Sequence, residues 1–175
     1  AQAKMVPGDS FISEATNMAP VTFTVNGTNY AATMENGYAV IDREWKKGDV
    51  VNFAFDLQAQ LVKARPEIKQ DEGRVAIQRG PMVYCVEGAD NNGKAWNIIL
   101  PEKTVFTSNS DKVLDEPIVS LKASVPVVTV NADGTALTTE MKTITAIPYY
   151  TWANRGKNEM QIWLPVKIKD VKINY

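Results

Sequence analysis

With 175 residues, 45% of them hydrophobic and 22% charged, the chain is long enough for one domain or two small ones and too apolar for disorder. Its 19 basic and 20 acidic residues nearly cancel, so there is no basic field to hold a phosphate backbone, which argues against nucleic-acid binding. No histidine and a single cysteine exclude imidazole catalysis, an internal disulfide and a self-contained zinc site, and no apolar run approaches the ~18 residues of a membrane span.

The pattern is β from the start. Val21–Val25 alternates with period two and is followed by Asn26-Gly27, a strong hairpin signal because both residues tolerate positive φ. A second Asn-Gly, Asn36-Gly37, precedes a strand at Tyr38–Ile41. Lys47-Gly48-Asp49 turns the chain into a strand at Val50–Leu57, so the first third reads as a meander. Residues 58–72 are more polar and contain Pro66, the mark of an irregular crossing or a distorted edge strand.

Arg74–Gln78 and Met82–Val86 are apolar enough to be central strands, with a bend between them at Gly80-Pro81. Glu87–Lys94 is a loop by composition, Ile98–Leu100 a short strand, and Thr107–Glu116 a polar excursion with room for one helical turn. Val125–Val130 is a strand closed by the turn Asn131-Ala132-Asp133-Gly134. Strands at Thr143–Pro148 and Met160–Val166 flank a loop at Tyr149–Glu159, and Val171–Ile173 is a last strand. Many short strands separated by turns indicate an all-β fold, a β-sandwich of jelly-roll type, with the option of a second, smaller sandwich towards the C-terminus. The chain reads as one region, 1–175. Pro101 and Pro117 bracket a polar stretch that offers a subdivision into 1–105 and 106–175, the alternative being a long loop within one sandwich. Position 1 starts neither with Met nor with a signal peptide, as expected of a mature or excised segment.

Few residues suggest chemistry. Cys85 lies in an apolar run and reads as a small core hydrophobe. The carboxylates Asp42, Glu44, Asp49, Asp71, Glu72, Glu87, Asp90 and Glu159 fall at turns or strand ends, where solvated charges sit, and none forms an evident catalytic pair. Trp45, ahead of the Lys-Gly-Asp turn, is expected to cover the end of the core. The functional candidate is the loop holding Tyr149, Tyr150, Trp152, Asn154 and Arg155. Its residue types suit three roles: a structural corner, an interdomain contact, or a sugar contact with ring stacking and polar neighbours. No catalytic, metal or cofactor residues are assigned.

Three ordered blocks carry a resemblance. GYAVIDREWKKGDVV at 37–51, ARPEIKQDEGRVAIQRGPMVYCVEGADN at 64–91, and AIPYYTWANRG at 146–156 with MQIWLP at 160–165 together resemble the C-terminal β-domain region of the bacterial β-L-arabinofuranosidase family, glycoside hydrolase family 127 and its relatives. The resemblance implies an (α/α)6 catalytic barrel followed by β-sandwich domains, with catalytic and zinc-binding cysteines in the barrel. This chain has no barrel and Cys85 matches none of those cysteines. The resemblance also implies further strands of the first sandwich ahead of residue 21, which residues 1–20 do not resemble. The expectation is a non-catalytic accessory domain of a bacterial glycoside hydrolase. Its partner would be the (α/α)6 barrel of the same polypeptide, and plant-type or bacterial polysaccharide is a further possible partner. By resemblance alone, the protein is periplasmic or secreted. The alternative is a carbohydrate-binding module. The two differ in whether Tyr150 and Trp152 are buried against the barrel or presented in an open groove.

Overall fold

The computed structural model describes residues 10–13, 21–131, 133 and 136–171. Among these the chain is all-β. The first strands are β1 (Phe11–Ser13), β2 (Thr22–Val25), β3 (Thr28–Tyr30), β4 (Thr33–Glu35), β5 (Tyr38–Val40), β6 (Val51–Ala54) and β7 (Ala59–Ala64). They are followed by β8 (Arg74–Arg79), β9 (Met82–Glu87), β10 (Thr107–Val113), β11 (Glu116–Val130), β12 (Leu137–Pro148), β13 (Met160–Gln161) and β14 (Leu164–Pro165).

Both Asn-Gly pairs form the expected two-residue hairpin loops. Asn26 and Gly27 take φ of 51° and 79° between β2 and β3, and Asn36 and Gly37 take 49° and 88° between β4 and β5. Instead of one meander, the first third makes two small antiparallel sheets, β3-β2-β6 and β4-β5. A polar clamp ties the β2–β3 turn to the segment leading into β6, within the three-stranded sheet. Asn26 Nδ2 donates to Asp49 Oδ1 (2.8 Å), Asn26 Oδ1 accepts from Val50 N (2.9 Å), and Asp49 Oδ2 accepts from Lys46 N (3.0 Å). Trp45 does not cover a core end as expected. It is exposed, with the Arg43 guanidinium 5.2 Å from its ring centre.

The remaining strands form one main sheet in the order β1-β7-β8-β9-β12-β11-β10. This sheet curls back on itself. Where β8 and β9 diverge, β14 pairs with β8 and β13 with β9. Segment 97–100 then joins the far side: Val128 N donates to Asn97 O (2.8 Å), Ile99 N to Pro126 O (3.0 Å) and Leu100 N to Pro165 O (2.8 Å). The curl wraps a core of Leu61, Val75, Ile77, Tyr84, Val86, Ile98, Leu100, Leu121, Val125, Ile144 and Leu164. A smaller cluster of Cys85, Val113, Ile118 and Ile147 lies apart from it.

Several elements differ from expectation. Residues 59–64 are a regular strand, β7, paired on both sides. Gly80-Pro81 is a full reversal, not a bend: β8 and β9 pair as a hairpin with Arg79 opposite Met82, and Gly80 at φ 59° takes the first loop position. Thr107–Val113 is β10 and carries no helical turn. It is hydrogen-bonded along its length to β11, and so the 101–117 stretch supplies a strand to the main sheet. The strand at Val125–Val130 extends back to Glu116, and the strand at Thr143–Pro148 extends back to Leu137. Met160–Val166 breaks into β13 and β14, and Ile98 makes a single bridge to Val127. Ala132, Gly134, most of residues 1–20, and Lys172 and Ile173 of the expected last strand lie outside the described residues.

Two outcomes are expected. A Cβ on Gly80 would meet Leu57 methyls at 3.1 Å in a left-handed conformation. Gly80→Val should therefore lower unfolding stability by more than about 1 kcal/mol in urea titration. Cys85 is fully buried, and burial, with Glu87 and Asp90 nearby, pushes its thiol up to about 12. Thiol reagents should label it slowly in native protein and quickly in denaturant, and Cys85→Ala should cost about 1–2 kcal/mol.

Candidate functional site

The 149–159 loop begins where Pro148 ends β12. A 3₁₀ turn at Tyr149–Thr151 follows, held by Thr151 Oγ1 donating to Pro148 O (2.7 Å). Ala153 at φ 65° and Gly156 at φ 85° then reverse the chain. For alanine that conformation costs energy, and it directs the Ala153 N–H to Glu87 Oε1 (3.1 Å).

Glu87 is the centre of the site. It ends β9 with 0% exposure. Its Oε1 also accepts from Asn158 Nδ2 (3.1 Å), and its Oε2 forms a short ion pair with Arg155 Nη2. Arg155 also grips Asp90 with both terminal nitrogens, at 2.6 Å each. This is the fork geometry that guanidinium and carboxylate share. Gly88 makes the turn between the two carboxylates possible, since a Cβ there would stand 2.9 Å from the Gly93 backbone.

The other end of the loop is tied as firmly. Glu159 Oε2 accepts from Ala95 N (2.7 Å) and Trp96 N (3.2 Å), while Lys94 Nζ lies 3.3 Å from Oε1. Burial pushes the Glu87 carboxyl up, but Arg155, Asn158 and Ala153 more than offset this and hold it below the usual glutamate range. Glu159 is likewise raised by burial and lowered further by Ala95, Trp96 and Lys94. Arg155 is held above its usual value, Asp90 first among the causes.

The five candidate residues separate into two groups. Tyr149 and Trp152 stack at 5.9 Å with ring planes 12° apart and remain partly exposed, and Tyr150 is 67% exposed. Asn154 is exposed and donates to Thr151 O (3.2 Å). Arg155 instead turns inward to the carboxylates. Glu87, Asp90 and Glu159, expected as solvated charges, prove to be the loop's anchors, and Asn158 joins them. The available signal was position: Glu87 follows Cys85 by two in a strand whose residues are buried on both faces.

No three His, Cys, Asp or Glu side chains converge as a metal site among the described residues. An open cleft of about 460 Å³ lies elsewhere, beside Lys63, Arg65, Lys69, Arg74, Glu102 and Asp170. Its charges are engaged with each other and with backbone: Lys63 pairs with Glu102 (2.9 Å), and Arg74 donates to Trp163 O (2.9 Å).

Comparison with known proteins matches residues 59–165 to the glycoside hydrolase family 127 C-terminal domain and residues 13–57 to the β-L-arabinofuranosidase GH127 middle domain. The non-reducing end β-L-arabinofuranosidase of Bifidobacterium longum subsp. longum is 31% identical over 157 residues, which cover 81% of this chain and 23% of that protein. A solved GH127 β-arabinofuranosidase superposes with a TM-score of 0.83 at 35% identity, over 95% of this chain and 26% of its own. The GH127 β-L-arabinofuranosidase of Geobacillus stearothermophilus T6 gives 0.70 at 31% identity, over 85% and 25%. The chain thus spans about a quarter of the length of these relatives.

Removing Arg155 strands a buried carboxylate. Arg155→Ala should destabilise by about 3 kcal/mol in urea titration, and adding Glu87→Gln should recover part of that loss. Because the folded-state values of Glu87 and Glu159 are depressed, their contribution is present above the ordinary glutamate value and lost as pH falls. Stability should therefore decline as pH drops below about 4.5, and Glu87→Gln should flatten that decline.

Proposed function

Since the chain belongs to glycoside hydrolase family 127, we propose that it is a non-catalytic β-sandwich region of a bacterial β-L-arabinofuranosidase-like hydrolase, packed against a catalytic barrel in the same polypeptide. The observation that carries this reading is the internal use of the loop's charges. A glycosidase that works through a carboxyl pair needs one carboxyl raised to act as acid and a second free to act as base or nucleophile. Glu87 is instead held ionised by Arg155 and enclosed. The rings that the loop leaves outside are Tyr149, Tyr150 and Trp152. Such rings anchor protein interfaces.

The same reading extends to the first third. β6 is exposed at all four residues, and Phe53 and Phe55 sit edge to face at 5.3 Å on the surface. Strands and surfaces of a longer protein are the natural cover, completing these sheets as a jelly-roll sandwich. Within this reading the whole enzyme works in the periplasm or outside the cell, on plant-type or bacterial polysaccharide.

The purified chain is expected to show no turnover of aryl β-L-arabinofuranosides, and its tryptophan fluorescence should not change with arabinose or arabino-oligosaccharides. Turnover that vanishes in Glu87→Gln would overturn the non-catalytic reading. A saturable fluorescence change lost in Trp152→Ala would favour a carbohydrate-binding module instead.

A further inference from the structure

The chain contains three Asn-Gly pairs, Asn26-Gly27, Asn36-Gly37 and Asn92-Gly93. Asn-Gly is the dipeptide most prone to deamidation, because glycine has no Cβ to shield its nitrogen from the neighbouring carboxamide. All three pairs are exposed, and all take the same left-handed loop conformation, with φ of 49–55° at Asn and 79–88° at Gly. Exposure and local backbone therefore do not separate them, but their hydrogen bonds do.

Asn26 is held at both ends of its carboxamide. Nδ2, the group that would leave, donates to Asp49 Oδ1 (2.8 Å), and Oδ1 accepts from Val50 N (2.9 Å). The Asn26 backbone N–H also donates to Val50 O (2.9 Å). At Asn92 the attacking atom is the one restrained. Gly93 N donates to Gly88 O (2.8 Å), and the two glycines pack so closely that a Cβ on Gly88 would stand 2.9 Å from the Gly93 carbonyl carbon. Asn36 has neither restraint. Among the described residues its side chain makes no hydrogen bond, and Gly37 N has no backbone acceptor. Its hairpin, β4–β5, is a separate two-stranded sheet of three residue pairs, with all six residues exposed. Such a hairpin is marginal in water and opens at little free-energy cost.

We propose that Asn36 is a site of spontaneous modification singled out by the fold: it deamidates in the native chain, while Asn26 and Asn92 are protected. The reaction needs only water. Gly37 N attacks Cγ of Asn36 and gives up its proton to solvent base, and the Cγ–Nδ2 bond breaks with loss of ammonia. Water then opens the five-membered imide at either carbonyl. One opening leaves aspartate. The other leaves isoaspartate, whose main chain runs through the former side chain and gains a methylene. Either product adds a negative charge beside Glu35, and the longer backbone no longer fits a two-residue loop. Closing the imide ring requires the loop to flex out of its hairpin geometry, so the rate follows how readily each loop opens.

The test is incubation of the native 175-residue chain at mildly alkaline pH, peptic digestion in acid, and mass spectrometry that resolves aspartate and isoaspartate at the three positions. Asn36 should convert at close to the rate it shows in urea. In the native chain Asn26 and Asn92 should convert at least about tenfold more slowly than Asn36, since each must first give up hydrogen bonds. In urea the three rates should converge. Asp49→Ala frees Nδ2 of Asn26 and should raise the Asn26 rate several-fold, with an unchanged Asn92 rate reporting that the main sheet stays folded. Equal native rates at the three positions overturn the proposal. So does a selectivity that persists in urea, because sequence rather than fold would then set it, or an Asn26 rate indifferent to Asp49→Ala.

Discussion

A carboxylate carried into the interior sets the terms for the whole C-terminal end of the sheet. Glu87 leaves β9 with no solvent contact, and an unpaired charge there would be prohibitive. It is tolerated because three groups from one loop converge on it, the Arg155 and Asn158 side chains and the Ala153 backbone N–H, while Asp90 shares the same guanidinium. Replacing such a pair with apolar residues often costs nothing. Its value here lies in choosing one conformation for an eleven-residue loop that has no regular structure beyond a 3₁₀ turn. The unfavourable φ at Ala153 has the same origin, because that backbone geometry delivers one of the three groups. The outward stack of Tyr149 on Trp152 is then positioned by an ion pair that neither ring belongs to.

The second constraint is closure. A curled sheet must satisfy backbone groups where its strands part company. β8 and β9 diverge beyond Ile77 and Tyr84, and the gap is filled from a distant part of the chain by β13 and β14. Segment 97–100 does the same between β11 and β14. Both stretches read as strands in the sequence, but the break of Met160–Val166 into two pieces with different partners was not legible there. β13 and β14 are two residues each, and segment 97–100 contributes one bridge.

Legibility in the sequence follows from this. Local signals were readable: two Asn-Gly loops, the apolar runs of β8 and β9, and the buried Cys85. β10 was not, because TSNSDKV is polar and buries only Val113; its strand character comes from the facing residues of β11. The Gly80-Pro81 reversal was read as a bend because proline suggested a kink, whereas the positive φ of Gly80 turns the chain back fully. At the site, the aromatic members were visible as residue types. The role of Arg155 was not, since its partners lie 65 and 68 positions away. A charge at a strand end is normally solvated, and only the fold shows that this strand ends indoors.

The two parts of the chain are incomplete in different ways. From Ala59 onward the sheet encloses its own core, and what remains open is an edge. Before Gln58 the situation is reversed. Val25 is the one buried residue between 21 and 57, and sheets of three and two strands cannot support themselves without a covered face. The clamp from Asn26 and Asp49 holds the β2–β3 turn to the start of β6 but supplies no apolar burial. Uncovered faces, with Phe53 and Phe55 exposed at β6 and Tyr38 at β5, call for surface from elsewhere, whereas an open edge calls only for a ladder.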